Sequence, residues 1–262
     1  MKRGLEITTV LVFSLVFLFS GHFSTLSSEE GEKNGKEEKV EKAEEVKASD
    51  YYGKGRSAYL LFTPKGFKEA MNWYEKALQV DRNFAPAYAG LGETYSSLGF
   101  WSGKNGKEFE NFYNKSFVYI SKALELAPQA LETHRALALS YLHLGRLIEA
   151  KREAEFTINL SPKSAEAYYI LWAATGRQTD SPNIKKALEL NPNLAIAHSD
   201  LGTAYFWNND YDRAIYHYKR SIEISPDNVY VRGYLANALS KKGRVAEALK
   251  VRELEKNKKW DK

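Results

Sequence analysis

The sequence predicts an all-α fold: a solenoid of about six helix–turn–helix units, after an N-terminal hydrophobic segment and a charged linker. Three observations carry this. One segment form recurs as KALQVDRNFAPAYAGLG, KALELAPQALETHRALA and KALELNPNLAIAHSDLG. Each copy ends an amphipathic helix, passes a turn and starts another helix. The turn prolines Pro128, Pro162, Pro192 and Pro226 stand 34, 30 and 34 residues apart, the spacing of a repeat array. Finally, the stretches from Leu131 and from Ala195 carry the same residue classes at the same offsets. Leu137, Ala138, Tyr141, Ala150, Ala154 and Pro162 match Leu201, Gly202, Tyr205, Ala214, Tyr218 and Pro226.

The elements follow in chain order. Lys2 and Arg3 precede an uncharged, almost wholly apolar run from Ile7 to Phe19. That run suits the core of an export signal better than a spanning helix, which needs about twenty residues. It can be extended through Phe23, and Thr25-Leu26-Ser27 is a tolerable cleavage site. Residues 1–27 are therefore read either as a cleaved signal peptide or as a retained anchor, with membrane association through residues 4–23. In both readings the positive flank sends the remainder out of the cytoplasm, an exported location. Residues 28–50 hold nine acids and five lysines and almost nothing apolar. They cannot bury enough surface to offset ordering entropy, and read as a solvated, disordered linker.

The repeat region is taken as 51–262, with units at about 51–84, 85–130, 131–164, 165–194, 195–228 and 229–262. The first has an irregular front, because Gly53 and Gly55 are poor helix formers. The second is twelve residues too long and the fourth four too short against a period of 34. Net charge is +5, of which the repeat region holds about +8 against an acidic linker. Lys256, Lys258, Lys259 and Lys262 supply much of it, and the basic residues form no stripe, so nucleic acid is not an expected partner.

The joint pattern is a large residue at offset 4, Leu at 7, small at 8, aromatic at 11, Ala at 20, aromatic at 24, small at 27 and Pro at 32. It resembles the tetratricopeptide repeat over about four-fifths of the chain. The packing logic is plain. Small residues let neighbouring helices approach, large ones fill the gaps, and proline ends the second helix. The sequence departs from the family in places. Offset 4 is Tyr88, His134, Tyr168, His198 or Arg232, never Trp, and offset 27 is Thr157 or Ser221 in two units. The polar Arg252 and Glu255 in the last unit suit a helix with nothing packed after it. The resemblance implies a right-handed α-solenoid.

Chemistry is sparse. The absence of cysteine excludes disulfides, thiolate metal sites and thiol nucleophiles. GFWSGKNGKEF, from Gly99 to Phe109, invites a phosphate-loop reading. But Gly99 and Gly103 are separated by three residues, Lys104 is followed by Asn105, and the preceding element is helical. It is read as an enlarged helix–helix turn, with Phe100 and Trp101 tucked onto a neighbouring helix or else exposed as a contact. His134 and His198 sit at the packing offset 4. No metal, cofactor or catalytic constellation is implied, and the chain is read as a non-enzymatic protein.

Function is then expected at the surface. The resemblance implies that offsets 2, 5, 9, 12 and 13 of each first helix face the concave groove. In this chain those positions include Arg135, Leu139, His143, Tyr169, Arg177, Phe206, Trp207, Asn237 and Lys241. Phe206 and Trp207 would anchor a partner, or would pack between units four and five. Arg135, Arg177 and Lys241 would pair with a carboxylate or acidic peptide. A chaperone-type carboxylate clamp, Lys at offset 5 with Asn at 9, is carried by no unit. The expectation is a protein- or peptide-binding scaffold of the cell envelope. Alternatives are a glycan- or peptidoglycan-binding module and a sensory component of an envelope signalling system.

Overall fold

The computed structural model describes residues 46–103 and 107–256. The apolar segment, nearly all of the acidic linker, residues 104–106 of the insert and the basic end at 257–262 lie outside the described residues. So do the side chains of Lys107, Val229 and residues 254–256. Within the described part there are twelve helices and no strand. They come in pairs: α1 Ala48–Tyr59 with α2 Pro64–Val80, α3 Ala85–Trp101 with α4 Lys107–Leu126, and α5 Leu131–His143 with α6 Leu147–Leu160. The remaining pairs are α7 Ala165–Ala174 with α8 Pro182–Leu190, α9 Ala195–Trp207 with α10 Tyr211–Ile224, and α11 Val229–Lys241 with α12 Val245–Lys256.

Local chemistry sets where each first helix stops. Gly103, Gly145, Gly176, Asn209 and Gly243 all have positive φ just past a helix end. After four of the helices the next N–H folds back to a carbonyl five residues earlier: Arg146 to Tyr141, Arg177 to Trp172, Asp210 to Tyr205 and Arg244 to Leu239. This is the Schellman closure, which pairs carbonyls the helix leaves open and favours Gly or Asn at the left-handed residue. Thr63, Ser181 and Asp210 then cap the following helices through their side-chain oxygens, with Pro64 and Pro182 at the first helical position.

Four of the five large residues at offset 4, all but Tyr168, have a shared role. Tyr88 Oη, His134 Nε2, His198 Nε2 and Arg232 Nη2 each donate to the carbonyl six residues earlier, on Arg82, Pro128, Pro192 and Pro226. The side chain thus fastens the turn between units, and any long donor serves. This explains why Trp is dispensable there.

Two sequence expectations need correction. Gly53 and Gly55 do not break the first unit, because α1 runs through both. A Cβ on Gly55 would lie 2.4 Å from the Tyr74 ring, so the missing side chain is what lets α1 close on α2. The insert, for its part, does not form a long turn from Leu98. The extra residues lengthen the helices: α3 has 17 residues and α4 has 20, against 13 in α5. Phe100 and Trp101 are helical.

The array returns on itself. The turn after α1 lies against the turn between α10 and α11. Ser225 Oγ donates to the Leu61 carbonyl at 2.5 Å, and Asn228 Nδ2 to the Phe62 carbonyl at 3.4 Å. Trp101 packs edge-on against Phe62, Phe67 and Tyr230, at 5.9, 6.2 and 4.5 Å between ring centroids. Part of the inner face is therefore covered by the chain's own first unit.

Candidate functional site

The covered half of the inner face is built around charges. Glu93 of α3, 1% exposed, accepts from Arg135 Nε at 2.7 Å and from Arg56 Nη1. Arg56 also pairs with Glu166 of α7, and Arg135 Nη2 donates to Tyr52 Oη at 3.2 Å. Two arginines and two glutamates so tie α1 to α3, α5 and α7. Burial pushes the Glu166 carboxyl up, but Arg56 and Arg135 outweigh it and hold its pKa below the usual value.

This corrects four of the groove positions expected from the sequence. Arg135, Leu139, His143 and Tyr169 are all buried. Arg135 is engaged by Glu93 and is not free for an acidic peptide. Leu139 packs in the main core. His143 Nδ1 lies 2.9 Å from Ser96 Oγ under the Phe100 ring, and burial lowers its pKa to about 3, so it is neutral. Tyr169 Oη donates to Asp200 Oδ2 at 3.0 Å. The physical reason is self-coverage: α1 and its turn lie over Arg135, Leu139 and Tyr169, while the lengthened end of α3 stacks on His143 and leaves only its edge on a shallow depression beside Leu147.

The other half is open. A cavity of about 370 Å³ lies between the C-terminal end of α3, the turn after α1, α9 and α11. Phe62, Trp101, Tyr230 and Tyr234 supply aromatic walls, and Ser199, Asp200, Thr203 and Asn228 supply polar groups. Arg177 stands at its edge, with Nη2 3.5 Å from Asp200 Oδ2. Arg177 also lines two adjoining depressions, one reaching Trp207 and Asn208 and the other reaching His143, Gly145 and Leu147. The groove thus runs from α5 across to the end of α9 with Arg177 at its junction.

The short fourth unit makes this junction. In units three, five and six one left-handed residue is followed, after its N-cap neighbour, by the second helix. Here Gly176 (φ 101°) is followed by Arg177, also left-handed at 53°. The chain then continues through residues 178–181, pinned by Trp172 Nε1 donating to the Gln178 carbonyl at 2.8 Å, before a nine-residue α8. The missing helical turn leaves space beside α9. A non-glycine residue at such φ is strained by roughly 1–3 kcal/mol and persists only where its surroundings impose it. Phe62, at φ 52°, is a second such residue, and both border the same cavity.

The last sequence-named residues divide. Trp207 is 76% exposed at the groove end. Phe206 is half-buried against the core formed by α10 and α11 and meets Tyr211 edge-on at 5.6 Å. Asn237 is exposed and accepts from Arg252 Nη2 at 3.0 Å, while Lys241 is exposed. Neither lines the groove described above. Sequence reasoning missed Asp200, Asn228, Tyr230 and Tyr234. One signal was available: Asp200 stands at offset 6, where units three and four carry Ala136 and Ile170. Among the described residues no cluster of three or more His, Asp or Glu could hold a metal, and no helix is long and apolar enough to cross a membrane.

Comparison with known proteins places this architecture. Two tetratricopeptide repeat family models match, over residues 195–228 and 217–250. The peroxisomal targeting signal receptor of Candida albicans is 25% identical over 69% of this chain and 31% of its own length. Stress-induced-phosphoprotein 1 of Caenorhabditis elegans is 22% identical over 71% and 55%. Tetratricopeptide repeat protein 6 of Homo sapiens is 20% identical over 63% and 37%. The chain thus spans from about a third to about half the length of these relatives. Among solved structures, a thermophilic TPR protein of Thermus thermophilus superposes with TM-score 0.52 at 20% identity, over 73% of this chain and 98% of that one. The human IFIT1 dimer with m7Gppp-AAAA does so with TM-score 0.60 at 20% identity, over 74% and 46%. At this identity the likeness shows the fold alone.

Proposed function

We propose that this chain, whose tetratricopeptide repeats match family models over residues 195–228 and 217–250, is a protein–protein interaction scaffold that docks a segment of a partner protein in the groove centred on Arg177. The observation that carries this is the asymmetry of the inner face. One half is sealed by the chain's own α1, while the other keeps an open cavity with Tyr230 and Tyr234 about half exposed and Trp207 at the groove end far more so. Exposed aromatics gathered at one concave site are the usual anchors of an interface. The repeat backbone supplies a rigid frame and needs no chemistry of its own.

We further propose that the scaffold works outside the cytoplasm. What supports this is the positive start and apolar run of residues 2–19, followed by a charged spacer. Fractionation of cells making the full-length chain, with N-terminal sequencing of the mature protein, tests location and cleavage together.

Docking is tested by crosslinking and pull-down from native cell envelopes. Wild type is compared with Trp207→Ala/Tyr234→Ala and with Ile148→Ala/Val118→Ala, two exposed apolar residues on α6 and α4 outside the groove. The groove variant loses the captured partner and the control keeps it, both folded by circular dichroism. Loss in the control alone would place docking elsewhere.

A further inference from the structure

Charge within the open cavity points to what it takes. Among the described residues, the carboxylate and the cation that border it are Asp200 and Arg177 alone. They are poorly matched: the contact is 3.5 Å, with the Arg177 side chain 48% exposed and that of Asp200 24%. In the sealed half, by contrast, Arg135 holds Glu93 at 2.7 Å with both nearly inaccessible. Burial keeps the Asp200 carboxyl above its usual pKa although Arg177 and the Tyr169 hydroxyl both oppose this. The carboxylate is thus under-compensated where it stands.

The remaining walls add to the same sign. Aromatic faces carry negative quadrupole density, and five rings, Phe62, Phe100, Trp101, Tyr230 and Tyr234, border the cavity. Asn228 is 3% exposed, and its Oδ1 has no hydrogen-bond partner among the described residues. Its amide orientation is fixed, because Nδ2 donates to the Phe62 carbonyl. Asn228 is the N-cap residue of α11 yet makes no side-chain cap. A buried acceptor left open is costly unless something donates to it.

We propose that this cavity binds a cationic side chain, lysine or arginine, presented by the partner segment. Its charge pairs with Asp200, its stem and head lie against the Trp101, Tyr230 and Tyr234 rings, and a small displacement of the Asn228 side chain brings its enclosed, unpaired Oδ1 to one N–H. Arg177 is the chain's own stand-in cation. It is held loosely, in a left-handed backbone, at the junction of three depressions, and it swings aside into them when the partner's cation enters. The inference rests on the docking reading above. It reverses the sequence expectation of an acidic peptide, because Arg135 is already neutralised and Arg177 competes with the ligand rather than receiving it.

The test uses the full-length chain, 15N-labelled, with the Trp101 indole resonance assigned through Trp101→Phe. Three blocked peptides are titrated, Ac-Gly-X-Gly-NH2 with X as lysine, norleucine or glutamate. The lysine peptide shifts the Trp101 signal saturably and binds at least tenfold tighter than the norleucine isostere, while the glutamate peptide does not bind. Asp200→Asn, which retains an acceptor for Tyr169, weakens the lysine peptide at least tenfold, and Tyr230→Leu weakens it several-fold. Arg177→Gly, which suits the left-handed backbone, tightens it several-fold. Equal binding of norleucine, preference for glutamate, weaker lysine binding by Arg177→Gly, or no shift with any peptide would each overturn the proposal. If the lysine peptide fails while Trp207→Ala/Tyr234→Ala still loses the captured partner, docking stands and only its cationic chemistry is wrong.

Discussion

The two halves of the inner face use the same chemical pair and reach opposite ends. In the N-terminal half, arginine and glutamate are buried together, and four charged groups from α1, α3, α5 and α7 close one network. In the C-terminal half, Arg177 and Asp200 lie half open beside an unfilled cavity. The difference is the neighbour. The first half is covered by α1, and the second adjoins the shortened fourth unit, where a helical turn is missing. A repeat array thus makes a site by leaving out packing as much as by adding residues.

The largest break is expected in the sealed half. Glu93→Gln or Arg135→Met leaves buried charge without its partner and costs about 3–5 kcal/mol. The double variant Glu93→Leu/Arg135→Met recovers part of that loss, though Arg56 then lacks one of its partners. Urea unfolding followed by circular dichroism measures both. The corresponding Asp200→Asn costs under about 1 kcal/mol, since its partner Arg177 is half exposed and 3.5 Å away and the neutral amide relieves the burial of the carboxylate. Equal losses in the two halves would remove the distinction.

Next comes the closure between the first and fifth units. Ser225→Ala/Asn228→Ala removes the donors to the Leu61 and Phe62 carbonyls. A cost of about 1–3 kcal/mol follows, chiefly for the buried Phe62 carbonyl left unpaired. Hydrogen exchange at residues 58–67 then accelerates while α5 and α6 stay protected.

Acid gives a graded test. Burial lowers the pKa of His143 to about 3 and of His217 to about 4, and it also lowers that of His198. Each folded value lies below the unfolded value of about 6.5, so the unfolded chain binds more protons. The stability these groups contribute is present above a pH of about 6.5 and is lost as pH falls toward about 4 and below. His143→Gln and His217→Gln flatten the melting temperature across that window.

Smaller still is Arg177→Gly. Relief of left-handed strain, roughly 1 kcal/mol, is offset in part by lost ion pairing and by glycine's greater unfolded freedom. Thermal melting changes little, whereas Arg146→Gly at ordinary φ is destabilised. Ile148→Ala, 84% exposed, stays within about 0.5 kcal/mol of wild type and sets the baseline.

The fold was legible because each unit repeats its own punctuation. The prolines and the Gly or Asn closures give the helix pairs, and Ala70, Ala150 and Ala214, fully buried, sit where close approach was expected. The site was only half legible. Arg177 and Trp207, read at offset 13 of their units, do line the groove, because each stands at the exposed end of a first helix. Arg135 and Tyr169 were misplaced as open groove residues, because what covers them is α1, 83 residues away for the Tyr52–Arg135 contact. Per-unit offsets carry no record of a chain that folds back onto its own inner face. Tyr230 and Asn228 were missed for the same reason: they border a cavity only once the turn after α1 meets the turn before α11. Gly55 misled in the other direction, since its helix penalty is visible in sequence and its contact with Tyr74 is not.

The central claim is that a partner enters the open half and not another face. Site-specific photo-crosslinking tests it most directly, with a photoreactive phenylalanine placed singly at Tyr234, at Trp207, at Val118 and at Ile148 in the full-length chain. One covalent adduct of the same partner is expected from the first two positions and none from the last two. Adducts from Val118 or Ile148 with none from Tyr234 and Trp207 would contradict it.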